Sequence, residues 1–306
     1  MDIGVQTGNW YIESKPYESI KYISECGFNA IDYNINNLFD ETFDKEKLTS
    51  FFDKSITELK EYYSELKKAT TEMSVHISQV HGIFPIYYEN AERLNEYIIE
   101  CNKKMIAVCG YLGCKFFVLH PWTGLEMPKA EERKINFSVF RALISVAKEK
   151  KVTICLENVF RHKNGKCVEA ACSVASEAVS YIDELNEMAG EDIFGFCLDT
   201  GHANLLARNI YQFILTLGNR LKVLHIHDNN GIEDLHMIPF TQFCIDGKNR
   251  PLDWSGFIKG LKEINFDGTL SFETFNAIDN LPEIEKTDGL KLVSIIGEYF
   301  SKEIKG

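Results

Sequence analysis

Eight short apolar runs, rich in β-branched and aromatic residues and separated by stretches of helical periodicity, restrict how this 306-residue chain can fold more than any other feature. The runs are Ile3–Thr7, Ala30–Asn34, Ile77–His81, Lys115–His120, Val152–Glu157, Gly195–Asp199, Lys222–His227 and Thr269–Glu273. Between them, apolar residues recur at the spacing of an amphipathic helix, as in Ala91–Tyr111, Glu131–Lys150, Ser173–Ala189 and Trp254–Ile264. Strands separated by helices pair in parallel, because a parallel pair needs a crossover long enough to hold a helix. Eight such units in a chain of this length favour closure over an open doubly wound sheet. The expected architecture is therefore α/β: a single (β/α)8 TIM barrel with parallel strands. No Pro-, Gly- or Ser-rich linker divides the chain, so residues 1–306 are read as one domain.

Several predicted helices end in the same way before the next strand, at Cys26-Gly27-Phe28, Leu112-Gly113-Cys114 and Asn265-Phe266-Asp267-Gly268. A glycine there accepts the left-handed conformation that closes a helix. The connection from Asp228 to Asp253, after the seventh strand, is long for such a fold, and long loops often carry function.

Charge and cysteine usage narrow the setting. Lys and Arg total 33 against 45 Asp and Glu, a formal charge of -12, which repels a phosphate backbone, so no nucleic-acid partner is expected. The nine cysteines are odd in number, form no CxxC pair and mostly lie in apolar stretches. They read as reduced core thiols, which fits a cytoplasmic location. The N-terminus shows no basic-then-apolar leader, and no run is long enough to cross a bilayer, so neither secretion nor a membrane partner is expected.

In a β/α barrel, ligands and catalytic groups come from the carboxyl ends of the strands. A polar residue closes nearly every strand here: His81, His120, Glu157, Asp199 with His202 just beyond, His225 and His227, and Glu273. Side chains alternate across a strand, so His225 and His227 share a direction, while Leu156, Leu198, Leu224 and Phe272 can face the helices. So many carboxylates and imidazoles in one partly buried cavity would repel one another or stand unpaired, and a divalent cation would supply the compensation. The bland alternative makes these carboxylates salt-bridge partners of Arg161, Arg208 or Lys222. Trp10, Phe84, Tyr87, Tyr88 and Trp122 could form an apolar wall against a sugar face but are read chiefly as core or lid packing, and Trp254 is read as structural. Arg250, Lys248 and Arg161 are candidate phosphate contacts, although no glycine-rich phosphate cradle accompanies them.

The fragments Val80-His81-Gly82, Leu119-His120-Pro121-Trp122, Leu156-Glu157-Asn158, Leu198-Asp199-Thr200-Gly201-His202, His225-Ile226-His227-Asp228-Asn229 and Phe272-Glu273-Thr274 resemble the xylose-isomerase-like TIM barrels. That family includes sugar phosphate isomerases and epimerases and, more distantly, endonuclease IV. The resemblance spans nearly the whole chain and implies one metal held by Glu157, Asp199, His225 and Glu273. Oxygen-rich ligands with one imidazole suit Mn²⁺, Mg²⁺, Co²⁺ or Zn²⁺. It further implies a small-molecule sugar, sugar phosphate or inositol-derived ketone as substrate. Glu157 and Glu273 would then be the acid/base pair that moves a proton through an enediolate. His202, His120, His81, Trp122 and His227 would line the substrate. Family members are often dimers or tetramers, so a homo-oligomer is implied in the same way.

Two other readings stay open. Endonuclease IV uses more histidines and an Asp-x-His after the seventh strand, and Asp234-Leu235-His236 supplies that pair here as an additional metal site. Against a multinuclear-zinc phosphodiesterase stand the acidic charge, a first strand without a histidine, and the glycine-free Asn158-Val159-Phe160-Arg161-His162 after the fifth strand. The third reading is a non-catalytic barrel that binds a sugar or metal without turnover, since fold and ligands do not by themselves prove chemistry.

Overall fold

The structure, a computed structural model, describes residues 1–35, 38, 51–124, 126–243 and 250–306. Its strands are β1 (Ile3–Gln6), β2 (Ala30–Asn34), β3 (His76–His81), β4 (Phe116–Leu119), β5 (Thr153–Glu157), β6 (Phe160–Lys163), β7 (Lys166–Glu169), β8 (Phe194–Asp199), β9 (Leu221–His225) and β10 (Leu270–Phe272). All but β6 and β7 form one parallel sheet in the order β10-β1-β2-β3-β4-β5-β8-β9. A parallel bridge between Ile226 and Phe272 joins the two ends of that order, with Ile226 N donating to Ser271 O at 2.8 Å and Glu273 N to Ile226 O at 3.0 Å. The result is the expected (β/α)8 barrel.

The expected strands sit within about a residue or two of their observed limits. The strands fall short at both ends; at the carboxyl ends His120, His227 and Glu273 lie just past the ladder rather than inside it. The expected helices appear as Glu92–Tyr111, Lys129–Lys150, Ala175–Ala189 and Trp254–Glu263. Gly27 and Gly113 take positive φ, as the helix-stop reading requires. At the third stop, Asn265 at φ 53° makes the left-handed turn instead of Gly268. Asparagine tolerates that conformation better than most side chains.

Leu156, Leu198, Leu224 and Phe272 are fully buried in the large core between sheet and helices. Inside the barrel a separate small cluster of Val118, Cys155, Cys197 and Val223 fills the space below the mouth. The described cysteines are all free thiols, buried except for Cys167; Cys244 lies outside the described residues. Trp254 is structural, as expected: it is buried, and its Nε1–H donates to Asp228 Oδ2 at 3.1 Å. Asp253 caps the same helix by accepting from Gly256 N at 2.8 Å, so both ends of the long connection after β9 are tied to the barrel.

One element was not anticipated. β6 and β7 form an antiparallel hairpin just after β5. Its turn is Asn164-Gly165, with φ of 51° and 71°. Two positive φ values are what a tight two-residue hairpin turn demands, and Asn-Gly is its strongest short-range sequence signal. No helix among the described residues is long and apolar enough to cross a membrane.

Candidate metal centre and active site

Strand register builds the site. Asp199 and His225 are paired across β8 and β9, and Glu157 is paired with Cys197 across β5 and β8. Side chains repeat direction every two residues, so the positions above inward-facing Val118, Cys155, Cys197 and Val223 are His120, Glu157, Asp199 and His225. Glu157, Asp199, His225 and Glu273 thereby meet at the mouth. His225 Nδ1 lies 3.0 Å from Glu157 Oε2 and 3.7 Å from Glu273 Oε2, and ligand atoms of Asp199, His225 and Glu273 lie within 4.8 Å of one another. Glu157, Asp199 and His225 are at most 1% exposed.

Local hydrogen bonds orient each ligand. Asp199 caps the short helix Thr200–Leu205, accepting from His202 N at 2.6 Å. Asn158 clamps the same strand end by accepting from Asp199 N and donating to Asp199 O, both at 2.8 Å. Three histidines place Nδ1 against a backbone carbonyl: His81 on Gly82 O at 3.0 Å, His202 on Asn158 O at 2.8 Å, and His236 on Glu273 O at 3.0 Å. A carbonyl only accepts, so each Nδ1 carries the proton and each Nε2 turns inward. His81 Nε2 then faces His120 Nε2 at 3.2 Å, and His120 Nε2 lies 3.0 Å from Glu157 Oε2. His202 Nε2 and His236 Nε2 lie 3.5 and 3.2 Å from Asp234 Oδ2. The Asp234-x-His236 pair has thus folded back from the long connection onto the mouth.

Beneath this layer sit groups that the strand-end reading did not single out. Asp32 on β2 is fully buried, with Oδ2 2.9 Å from His225 Nε2 and accepting from Gln79 Nε2 at 3.2 Å. Gln6 on β1 donates to Glu273 Oε1. Each is a polar residue inside an otherwise apolar strand, and that is the signal that could have found them.

The electrostatics of the cluster are those of a cation site. Burial alone would raise the carboxyl of Glu157, but the charges of His120 and His225 outweigh it and hold it well below the ordinary range. Asp199 is lowered likewise: burial opposes, His202 and His227 prevail. Burial disfavours the imidazolium of His236, yet Glu273 and Asp234 raise it to about 9. Carboxylates that draw protons onto neighbouring imidazoles would draw a metal ion to the same lone pairs. Glu157 Oε2, both ring nitrogens of His225, His227 Nδ1 and Asp234 Oδ1 are buried without a well-directed hydrogen bond, although Glu157 and His225 have oppositely charged neighbours about 3 Å away. Such atoms are costly in a dry site unless something else satisfies them. The residues therefore fit a divalent cation. Donor groups of metal-binding size are His81/His120/Glu157, Asp199/His225/Glu273, Glu157/Cys197/His225, Asp199/His202/His227 and His227/Asp234/His236.

The salt-bridge alternative does not describe this mouth. Arg161 pairs with Glu132 at 3.6 Å and donates to Gly124 O, and Arg208 pairs with Glu169 at 2.5 Å. These contacts also occupy Arg161, and Arg250 is spent on Asn204 O, so neither guanidinium faces the mouth as a phosphate contact; Lys248 lies outside the described residues. His227 is fully buried, with Nε2 3.0 Å from Asp199 Oδ2, and stands behind Asp199 rather than on the cavity wall. A polar cavity of about 460 Å³ opens over the cluster, bordered by His81, His120, Glu157, His202, His236 and Glu273. Trp10 is buried away from it; Tyr87, Tyr88 and Trp122 pack against the core, as expected, and also line a neighbouring space, while Phe84 borders both spaces.

A family model described as "Xylose isomerase-like TIM barrel" matches residues 20–291. Among curated relatives, the uncharacterized protein y4fM of Sinorhizobium fredii is 28% identical over 185 residues, covering 58% of this chain and 52% of its own length. The L-ribulose 3-epimerase of Methylomonas sp. is 24% identical over 181 residues, covering 59% of this chain and 54% of the relative. This chain thus spans about half the length of these relatives. Among solved structures, one described as a D-tagatose 3-epimerase-like protein superposes with a TM-score of 0.67 at 22% identity, covering 98% of this chain and 99% of the other. At that identity the likeness establishes the fold.

Proposed function

This chain belongs to the xylose isomerase-like TIM barrel family, and from that premise we propose that it is a metal-dependent isomerase or epimerase of sugars, sugar phosphates or inositol-derived ketones, working by proton transfer on a single barrel domain. One observation carries the reading. Glu157, Asp199, His225 and Glu273 converge beneath a polar cavity of monosaccharide size, with Glu157 Oε2 and both ring nitrogens of His225 buried and without a well-directed hydrogen bond. The epimerase names of a relative and of a structural neighbour agree with it.

Glu157, Asp199, His225 and Glu273 would hold the cation, with His81, His120, His202, Asp234 and His236 able to hold more. So many imidazoles favour Mn²⁺, Co²⁺ or Zn²⁺ over Mg²⁺. When bound, the cation supplies Lewis-acid polarisation of a substrate carbonyl and charge stabilisation of the enediolate. The protein's own groups do the rest. Glu157, kept ionised by His120 and His225, accepts the proton from the carbon beside the carbonyl. Glu273, anchored by Gln6, serves the opposite step, returning a proton so that a stereocentre inverts or the carbonyl moves. His120 and His202, which border the cavity, orient substrate oxygens.

The test is solvent exchange: a panel of ketoses and inositol-derived ketones in deuterated buffer with Mn²⁺ should take up deuterium at one carbon. The approach of Asp234 and His236 to His202 favours a second reading, a multinuclear phosphodiesterase. Nicking of abasic DNA without deuterium uptake would establish that reading instead, and binding with neither reaction would identify a non-catalytic barrel.

A further inference from the structure

Beside the polar cavity lies a second chamber of about 1110 Å³. Phe84, His120, His202 and Asp234 border both, so whatever fills one abuts whatever fills the other. The walls differ in kind. Trp122 meets Tyr87 edge-to-face at 5.1 Å, Phe84 packs on His120 at 4.8 Å, and Phe160, carried on the β6–β7 hairpin, packs on His202 at 5.0 Å. Met127, Pro128 and Val159 extend the apolar lining, and the exposed Glu89, Glu126 and Glu131 also border the chamber. Aromatic surface therefore begins at the imidazoles of the metal centre and runs outward from them.

The polar cavity is large enough for one six-carbon sugar. A free monosaccharide there would leave the adjoining aromatic chamber to water, and apolar walls gain nothing from that contact. Flat rings accept flat or apolar partners, by stacking and by area burial. Building on the isomerase reading, we infer that the chamber is a subsite for an apolar, aryl-like group attached to the sugar, so that the substrate is a ketone-bearing glycoside and not a free ketose. One chemical consequence follows. With the anomeric carbon bonded to such a group the ring cannot open, so the carbonyl that acidifies the neighbouring C–H has to be a ring ketone. The step stays redox-neutral: the C–H bond breaks, its electron pair enters the carbonyl, the proton goes to one glutamate, and a proton is returned to the same or the adjacent carbon.

The test is a binding comparison on the full chain supplied with Mn²⁺, titrating phenyl β-D-glucopyranoside, methyl β-D-glucopyranoside and D-fructose by calorimetry and tryptophan emission. Phenyl glucoside should bind about tenfold or more tightly than methyl glucoside, the scale expected for burying one ring. The emission change should vanish in Trp122→Phe with affinity retained, because Trp10 and Trp254 are buried elsewhere. Trp122→Ala and, independently, Tyr87→Ala, which line the chamber but not the polar cavity, should each lower phenyl glucoside affinity about fivefold and leave methyl glucoside unchanged. Equal binding of the two glucosides, or a phenyl preference untouched by both alanine variants, overturns the subsite. Deuterium uptake into free ketoses with no aryl preference overturns the subsite and leaves the isomerase reading standing. Aryl preference with no uptake into any ketone does the reverse.

Discussion

Two layers of the barrel interior, one residue pair apart on the same strands, have opposite chemistry. The lower layer is Val118, Cys155, Cys197 and Val223, small and apolar. The upper is His120, Glu157, Asp199 and His225, reached by moving two residues along each strand. Backbone direction, register and burial are nearly the same in both. The difference teaches that the strands supply geometry for any inward residue, and that the polar layer is tolerable only because it lies at the mouth, where an ion and a substrate can satisfy it. Below, where nothing can enter, the same positions must be filled with side chains that need no partner.

The comparison breaks most sharply if the upper layer is dispensable. Glu157→Gln or Glu273→Gln should lower deuterium uptake about a thousandfold or more while circular dichroism stays native. Activity retained in either variant removes the two-base mechanism. Next comes an exchange of character between layers: Val223→Asp places a carboxylate among apolar side chains, and should cost about 3 kcal/mol of stability in urea unfolding. A fully stable variant would mean the lower layer is not dry.

Asp32 lies between the layers and sharpens the boundary. Asp32→Asn should weaken Mn²⁺ or Zn²⁺ binding about 10- to 100-fold by competition with a chelating dye, with little change in melting temperature. An unchanged affinity would show that His225 needs no buried carboxylate to orient it. The smallest effect is expected from Cys155→Ala in the lower layer, about 1 kcal/mol from a small cavity, with metal affinity unaltered. A loss of metal binding there would mean the layers are coupled.

Much of this was legible because strand and ligand signals are local. A run such as Val152–Glu157 announces both a strand and the carboxylate that ends it, and Asp199 with His202 announces a strand end and a polar group just beyond it, while the cap between them emerges only in the structure. Asp32, Gln79 and Gln6 were harder to find, since each sits inside a strand and acquires meaning only when a neighbouring strand brings His225 or Glu273 beside it. The hairpin was missed although Asn164-Gly165 marks its turn, because its strands are short and exposed and carry no apolar run. For Phe84, Tyr87 and Tyr88 packing was preferred over a pocket wall, and the sequence could not choose because an aromatic side chain suits both equally well.

The sequence by itself determined the alternation of strand and helix, the parallel barrel, and the residue types available at its mouth. These follow from periodicity and from the chemistry of single side chains. Tertiary structure alone decided which nitrogen of His81, His202 and His236 faces inward, that Asp234 and His236 return to His202, and that an aromatic chamber opens beside the cluster of imidazoles and carboxylates. Those outcomes depend on carbonyls and rings brought together by barrel closure from distant parts of the chain, and no local pattern encodes their meeting.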